Sequence, residues 1–252
     1  GTSEPHRNYQ AGAGRLTGKD PAKAVVPPTL PDNDIVRNDI LDYLVEVEHF
    51  DSMVARAITA LEARGELDNT IVVITSDHGM PFPRAKASLY DAGSRVPLAV
   101  RWPSGICNPG RDVNAFVNLS DLAPTFLEAA GIEIPNDMQG ESLMPLLTGN
   151  GDKWNRKSVY YHYYEYPDEH AVKRHYGIST KEYKLIHFYH DIDEWELYDR
   201  MKDPKEMNNV YNDPEYVKVV DELKIELAAL RVKYKDSSEL DQKYIDSYNN
   251  RN

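Results

Sequence analysis

The sequence predicts an α/β domain followed by a smaller lobe made of an antiparallel sheet and a helix. Three observations support this fold class: a long amphipathic helical pattern precedes an apolar, β-branched run; polar residues end that run; and aromatic and β-branched residues concentrate late in the chain. The composition changes after residue 149. We therefore assign residues 1–152 to the α/β domain and residues 153–252 to the lobe.

A long helix is the first regular element that we expect. The first 30 residues predict loops, because Gly and Pro cluster there without an apolar period. One of the residues 32–34 can cap the helix, and Gly65 can end it. Asp51 falls within the apolar stripe, so we expect it to be a structural hydrogen-bond anchor rather than a residue at the rim of a site. The stripe comprises Ile40, Leu44, Val47, Val54, Ile58 and Leu61.

The apolar residues 71–75 predict a buried strand, and Asp77 and His78 follow it almost directly. Open α/β sheets carry their sites at the C-terminal edge, and Asp and His both bind divalent cations. The alternative is a simple turn, capped by Asp77, in which Gly79 supplies a positive φ. Lys86 follows in the return loop, and a cation there suits an anionic substrate such as sulfate or phosphate.

The second half of the chain predicts one helix, a sheet and a final helix. We expect Ser120 to cap the first helix, with Pro124 in its first turn and Gly131 after its end. The segment STKEY predicts a hairpin turn. The strands are expected at residues 159–166, 176–180, 183–188 and 195–198, and the final helix at residues 214–233.

Composition excludes several classes of protein. The chain has 41 acidic and 29 basic residues and a formal charge of −12, which is the wrong sign for a nucleic-acid-binding protein. A polyanionic substrate would need a local basic patch. One cysteine excludes an intramolecular disulfide, and no segment reaches the length of a membrane span.

Three segments resemble the sulfatase family of the alkaline-phosphatase-like superfamily. They are DNTIVVITSDHGMPFPRAKASLYDAGSRVPLAVRWPSG, VNLSDLAPTFLEAAGIEIPNDMQGESLMPLL and ELYDRMKDPKEMNNV. The resemblance implies the C-terminal part of an α/β/α sheet domain and a small C-terminal lobe. The segments EPHR and GMPFPRAK resemble heparan N-sulfatases, whereas YYHYYEYPDEHAVKRHYG resembles glycosaminoglycan O-sulfatases. Whether an O-sulfate or an N-sulfate is cut therefore stays open.

The resemblance also implies roles for individual residues. Asp77 and His78 match a pair that binds calcium or another divalent cation, although many family members carry Asn in place of His78. Lys86 matches a lysine that bridges the sulfate to the catalytic centre. His6 matches a histidine that contacts the sulfate or assists the leaving group.

The formylglycine of the family is expected outside this sequence. It is made from Cys or Ser in a C-x-P-x-R segment upstream of the metal strand, so we expect it in an N-terminal part of the same protein. Residues 107–111 match C-x-P-x-R literally, and Cys107 is the only cysteine. They follow the metal strand, however, and their Pro and Gly content predicts a surface loop. We therefore do not assign Cys107 as the nucleophile.

A late cluster of cations and imidazoles suggests substrate binding. We expect His170, Lys173, Arg174 and His175 to contact a sulfated saccharide, because cations pair with sulfate and neighbouring tyrosines stack on sugar rings. The alternative is that the tyrosines cover a sheet and the charges are solvated. The resemblance implies hydrolysis of sulfated saccharides in the periplasm or outside the cell. The alternatives are a phosphodiesterase or phosphonate hydrolase, and a catalytically incomplete sugar-binding fragment.

Overall fold

A computed structural model of the protein describes residues 6–167 and 170–249. The first five residues of the predicted N-terminal loop lie outside the described residues. Among the described residues, no helix is both long enough and apolar enough to cross a membrane. The chain forms two compact units, which comprise residues 1–86 with 92–104 (unit 1) and residues 87–91 with 105–252 (unit 2). The boundary near residue 153, which rests on the change in composition, stays a prediction; residue 153 itself lies within unit 2.

Unit 1 is built on one long helix. A short helix, α1 (Ala13–Leu16), interrupts the predicted loop and precedes the long helix α2 (Asp34–Ala63). The Asn33 side chain accepts a hydrogen bond from the backbone N–H of Val36 at 3.0 Å and so caps α2. Gly65 has a φ of 69° directly after the helix. The predicted helix and both of its ends are therefore confirmed.

The buried carboxylate of this helix is Asp42. Its two carboxylate oxygens accept hydrogen bonds from the backbone N–H groups of Gly12 and Gly14, both at 2.8 Å. Asp51 is exposed, so the prediction that it anchors the structure was wrong. At Gly14 a Cβ would lie 2.5 Å from the Cβ of Leu41, which is why α1 can pack so closely on α2. Asp42 satisfies the donors that this close packing buries.

Two antiparallel strands follow α2 in unit 1. They are β1 (Val72–Thr75) and β2 (Leu98–Arg101), paired so that Val73 opposes Val100. The short helix α3 (Asp91–Ser94) precedes β2. The position of β1 is confirmed, but all four of its residues are half-buried, so the prediction of a buried strand was wrong.

Unit 2 contains the predicted antiparallel sheet, in the order β3-β4-β5-β6. Its strands are β3 (Ser158–Tyr163), β4 (His175–Thr180), β5 (Tyr183–Phe188) and β6 (Glu194–Asp199). The predicted hairpin turn joins β4 to β5. The helices are α4 (Leu122–Ala129), α5 (Met144–Leu147), α6 (Val217–Lys233) and α7 (Ser238–Asn249). The two predicted helices, α4 and α6, are confirmed, whereas α5 and α7 were not predicted.

The start of α4 differs from the prediction. Asn118, not Ser120, is the capping residue of a 3₁₀ turn that leads into α4. The Asp121 side chain accepts the backbone N–H of Asn118 at 2.6 Å, which forms a capping box. Pro124 lies in the first turn of α4, and Gly131 has a φ of 70° after its end, both as predicted.

One face of the sheet packs against α6 to form the core. Ile178, Leu185 and Leu197 from three neighbouring strands have no exposed surface. The alternation of side chains along each strand brings these residues to one face. They contact α6 and the turn before it through Tyr216, Val220, Leu223 and Leu227.

The opposite face of the sheet carries residues 87–91. Leu89 lies against Gly177, where a Cβ would be 2.4 Å from the Leu89 Cδ2 atom and 2.3 Å from the Leu185 carbonyl oxygen. A residue larger than glycine at position 177 would therefore displace Leu89. Ile186 and Tyr198 join Leu89 in this second apolar cluster.

A buried ion network lies beside this second cluster. The Lys184 ammonium has no exposed surface and lies 2.6 Å from the carboxylates of both Asp91 and Glu206. Arg200 donates to the other oxygen of Asp91 at 2.7 Å. Burial of Asp91 opposes its ionisation, but Lys184 and Arg200 outweigh burial and hold its pKa below the usual value. The two cations balance the two carboxylates, so the network is neutral as a whole.

Replacement of Lys184 by methionine tests this network. The variant leaves two carboxylates without their buried cation, so we expect the free energy of unfolding to fall by about 3 kcal/mol or more. Urea unfolding measures the change. Lys181, exposed in the hairpin turn before β5, provides the control, and Lys181→Met should change stability by less than about 0.5 kcal/mol. Equal effects of the two variants would contradict the assignment.

Candidate functional site

Asp77 and His78 lie at the end of β1 with their side chains in contact. The His78 Nε2 atom is 3.2 Å from the Asp77 Oδ2 atom. The other carboxylate oxygen of Asp77 accepts the backbone N–H of His78 at 2.9 Å. The Asp77 side chain is 81% exposed and that of His78 is 39% exposed, so both are accessible from solvent. The structure therefore brings the two predicted metal ligands together.

This pair suits a divalent cation. The His78 Nδ1 atom lies 3.0 Å from the Gly79 carbonyl oxygen, which can only accept, so Nδ1 carries the proton. In the neutral imidazole, Nε2 is then an acceptor that faces a carboxylate oxygen. The His78 Nε2 atom and the Asp77 Oδ2 atom would repel each other as two acceptors, and a cation bound by both would remove this repulsion. Asp77 offers the oxygen that calcium prefers, whereas an imidazole nitrogen better suits a transition metal.

Gly79 fixes the chain directly after this pair. Its backbone N–H donates to the Gly93 carbonyl at 3.0 Å, and a Cβ at position 79 would lie 1.9 Å from the Ala92 carbonyl oxygen. Gly79 does not have a positive φ, so the turn considered as an alternative is not what requires glycine. Close approach of two backbone segments requires it instead.

Lys86 and His6 are also in contact, although 80 residues separate them. The Lys86 Nζ atom lies 3.3 Å from the His6 Nε2 atom. The His6 Nδ1 atom is 3.1 Å from the Arg7 carbonyl oxygen and so carries the proton. The loop that ends at Lys86 is closed by hydrogen bonds from the N–H groups of Phe82 and Lys86 to the Met80 carbonyl, at 2.8 and 3.1 Å. A compact loop therefore presents the ammonium group to His6.

His170 and Lys173 lie in the segment that leads into β4, and both have acidic partners. The His170 Nδ1 atom is 3.0 Å from the Glu165 carboxylate. Lys173 donates to Asp191 at 2.7 Å, and its ammonium lies 4.1 Å from the centre of the Tyr166 ring. Their side chains are 26% and 33% exposed, so their polar ends reach the surface.

Arg174 and His175 are buried, with 2% and 1% of their surface exposed. Arg174 donates to the Tyr166 carbonyl at 2.6 Å. The His175 Nδ1 atom donates to the Lys173 carbonyl at 2.8 Å, and its Nε2 atom accepts the backbone N–H of Leu89 at 3.2 Å. In unit 2 these two side chains hold backbone in place.

A second cluster of possible metal ligands was missed by the sequence analysis. His162, Asp236 and Asp241 each offer an atom within 4.8 Å of the other two. Arg231, however, donates to Asp236 at 3.1 Å and to Asp241 at 2.7 Å. The Arg231 guanidinium therefore already neutralises much of the carboxylate charge, and the cluster is better suited to joining β3 to α6 and α7. Because its members are far apart in the sequence, no local pattern indicates it.

Cys107 lies in an exposed loop, as predicted. Asn108 and Gly110 have φ values of 52° and 77°, which a right-handed helix does not allow. Among the described residues, no helix begins at Cys107. The geometry that would steady an anionic nucleophile is therefore absent from this part of the chain.

Comparison with known proteins gives two family matches. The family described as Sulfatase matches residues 2–132, and the family described as N-sulphoglucosamine sulphohydrolase, C-terminal, matches residues 79–233. The chain is 48% identical over 203 residues to an N-acetylglucosamine-6-O-sulfatase of Bacteroides thetaiotaomicron, covering 78% of this chain and 36% of that protein. It is 27% identical over 275 residues to the N-sulphoglucosamine sulphohydrolase of Homo sapiens, covering 89% of this chain and 55% of that protein.

A solved structure shows the same fold. It is of a protein in complex with its substrate, D-glucosamine-2-N,6-O-disulfate, and matches with a TM-score of 0.71 and 45% identity. The match covers 80% of this chain and 42% of that one. The chain thus spans about half, or less, of the length of the proteins that it matches.

The His162 cluster predicts a pH dependence of stability. Burial lowers the pKa of His162 to about 4 from the ordinary value of 6.5. The folded state then resists protonation more than the unfolded state does. Stability is full above pH 6.5 and falls as the pH drops toward 4, by about 3 kcal/mol for this one group.

His162→Gln removes this contribution, so the variant should lose less stability than the wild type between pH 7 and pH 4. Urea unfolding at each pH measures the slope. His49→Gln, an exposed position on α2, should keep the slope of the wild type. The same slope in all three proteins would refute the assignment.

Proposed function

Because the chain belongs to the sulfatase family, we propose that it supplies Lys86, His6, Asp77 and His78 to the active site of a hydrolase that acts on sulfated saccharides. The observation that carries this proposal is the contact of Lys86 with His6 at 3.3 Å across 80 residues. A cation and an imidazole held side by side suit a sulfate group and its leaving group. The longer protein that contains this chain would perform the reaction.

Lys86 provides the positive charge. Its ammonium would pair with oxygens of the sulfate and stabilise the charge that develops on them as sulfur is attacked. A lysine is suited to this role because its ammonium is a compact point charge on a flexible stem, which can turn from His6 toward a bound anion.

His6 provides the proton. Its Nδ1 atom is held by the Arg7 carbonyl, so Nε2 is the atom that can take up a proton and donate it to the leaving alcohol or amine. When Lys86 turns toward the sulfate, its ammonium leaves the His6 Nε2 atom. Nε2 can then donate its proton to the leaving group.

Asp77 and His78 would hold the cation, which we propose to be calcium or another divalent ion. Asp77 provides a carboxylate oxygen, and His78 provides its Nε2 atom, the two being 3.2 Å apart. The metal would supply polarisation of the sulfate, and a formylglycine in an upstream segment would supply the nucleophilic hydroxyl.

The proposed substrate is a sulfated glucosamine residue of a saccharide, which the names of both curated relatives and the substrate in the matched structure support. We propose that His170 and Lys173 contact it by exchanging Glu165 and Asp191 for anionic groups of the sugar. Arg174 and His175 would act indirectly, by holding this segment. From the family resemblance we also propose that the protein works in the periplasm or after secretion.

Lys86→Ala and His6→Ala in the longer protein should each lower kcat on a sulfated glucosamine oligosaccharide by about 10²-fold or more, because both act mainly in the transition state. Sulfate release measures the rate. Lys23→Ala, an exposed lysine of unit 1, should keep the wild-type rate. Unchanged kcat in the Lys86 and His6 variants would contradict the proposal.

The same assay separates the alternatives. Faster turnover of a phosphonate or phosphate ester would favour the phosphonate hydrolase or phosphodiesterase. Saccharide binding without any turnover would favour a catalytically incomplete binding protein.

Two variants of opposite effect test the substrate-binding segment. Lys173→Ala should raise KM for the oligosaccharide about 5- to 10-fold with little change in kcat, because the lost ion pair is made equally in ground and transition states. Asp191→Asn should lower KM, because it frees Lys173 from its competing partner. Lys181→Ala, an exposed lysine at the other end of β4, is the matched control. A KM that stays constant in both variants would exclude a role for Lys173.

A further inference from the structure

We propose that Arg7 is a positioning residue that sets His6 against Lys86. The inference rests on the proposed function and extends it to a residue that contacts neither the sulfate nor the metal. Arg7 is next to His6 in the sequence, and its guanidinium joins three separate segments of unit 1: the N-terminal segment, α2 and the loop that ends at Lys86.

The first connection is to α2. The two terminal nitrogens of Arg7 donate to the two carboxylate oxygens of Asp39, at 3.2 and 3.0 Å. The Tyr9 hydroxyl donates to the same carboxylate at 2.7 Å. A planar guanidinium opposite a planar carboxylate fixes orientation as well as distance. The N-terminal segment is thus held on α2 at residues 7 and 9, directly after His6.

The second connection is to the loop of Lys86. The Nε and Nη2 atoms of Arg7 donate to the Pro81 carbonyl, at 3.2 and 3.1 Å. The Arg7 guanidinium also lies 5.0 Å from the centre of the ring of Phe82, which is buried. Because the backbone from Met80 to Lys86 is closed by its own hydrogen bonds, holding Pro81 and Phe82 also fixes the origin of the Lys86 side chain.

Stability alone does not account for this arrangement. The Arg7 side chain is 46% exposed and that of Asp39 is 32% exposed, and ion pairs so open to water contribute little to stability. The geometry is nevertheless specific, with three nitrogens directed at two different acceptors. Lysine could replace the charge but not the planar set of donors. Arg7 is therefore suited to fixing the distance between two functional groups.

The test replaces Arg7 by lysine and uses Arg37→Lys as a matched control. Arg37 makes the same kind of contacts, with the Asp32 carboxylate and with the carbonyls of Pro21 and Ala24, but it is not next to a functional candidate. Asp39→Asn is a second variant, which weakens the same connection from the other side. Circular dichroism verifies folding of each variant.

Two measurements are made. In this chain, the nuclear Overhauser effect between the His6 ring and the Lys86 side chain reports their contact, and we expect it to be lost in Arg7→Lys and Asp39→Asn but kept in Arg37→Lys. In the longer protein, Arg7→Lys should lower kcat about 10- to 100-fold with KM within about 3-fold, because misplacement of a catalytic group by about 1 Å costs that much. Arg37→Lys should keep the wild-type kcat.

The outcomes separate this inference from the proposed function. Loss of the His6–Lys86 contact and of kcat in Arg7→Lys alone supports it. Wild-type kcat in Arg7→Lys, while His6→Ala is inactive, overturns the positioning role and leaves the proposed function standing. Equal losses in Arg7→Lys and Arg37→Lys also overturn it. Wild-type kcat in His6→Ala shows the proposed role of His6 to be wrong, and the positioning inference is then rejected with it.

Discussion

The burial of the Lys184 ammonium is the constraint on which unit 2 depends. A charged group with no exposed surface is tolerated only where carboxylates replace its water. The carboxylates of Asp91 and Glu206 therefore both lie against the Lys184 ammonium on the sheet. This holds the segment 87–91 and the turn after β6 in place. Glu206 adopts a φ of 56°, a conformation that costs backbone energy, in order to reach this position. The same network thus determines the path of the segment 87–91, which ends at the first residue of α3, and of the turn after β6.

The strands of unit 2 could be predicted because each has a local cause. Aromatic and β-branched residues concentrate in them, and the turn at residues 181–182 separates β4 from β5. The half-exposed state of β1 could not be predicted, because an apolar run does not indicate what covers it. Asp51 illustrates the same problem: a helical period places it among apolar residues, but only the packing of α1 shows that Asp42 is the buried carboxylate.

The candidate site was predictable in its members rather than in its contacts. Asp77 and His78 are adjacent in the sequence, and their contact follows from the end of β1. The contact of Lys86 with His6 depends on the N-terminal segment, which Arg7 holds against α2. Such a contact between distant segments leaves no periodic pattern in the sequence. Charge in the sequence was also a poor guide to exposure, since Arg174 and His175 belong to a cationic run yet are buried. The residue type alone does not show whether a cation is buried or solvated; only the groups around it in the structure do.

The exposed loop at Cys107 has a practical consequence. Cys107 is the only thiol of the chain, so a maleimide dye or a spin label attaches at a single known position without prior replacement of other cysteines. The label would report from unit 2, whereas His6, Asp77, His78 and Lys86 belong to unit 1. The same accessibility allows two copies to join through a disulfide in air, so measurements of molecular size require a reductant.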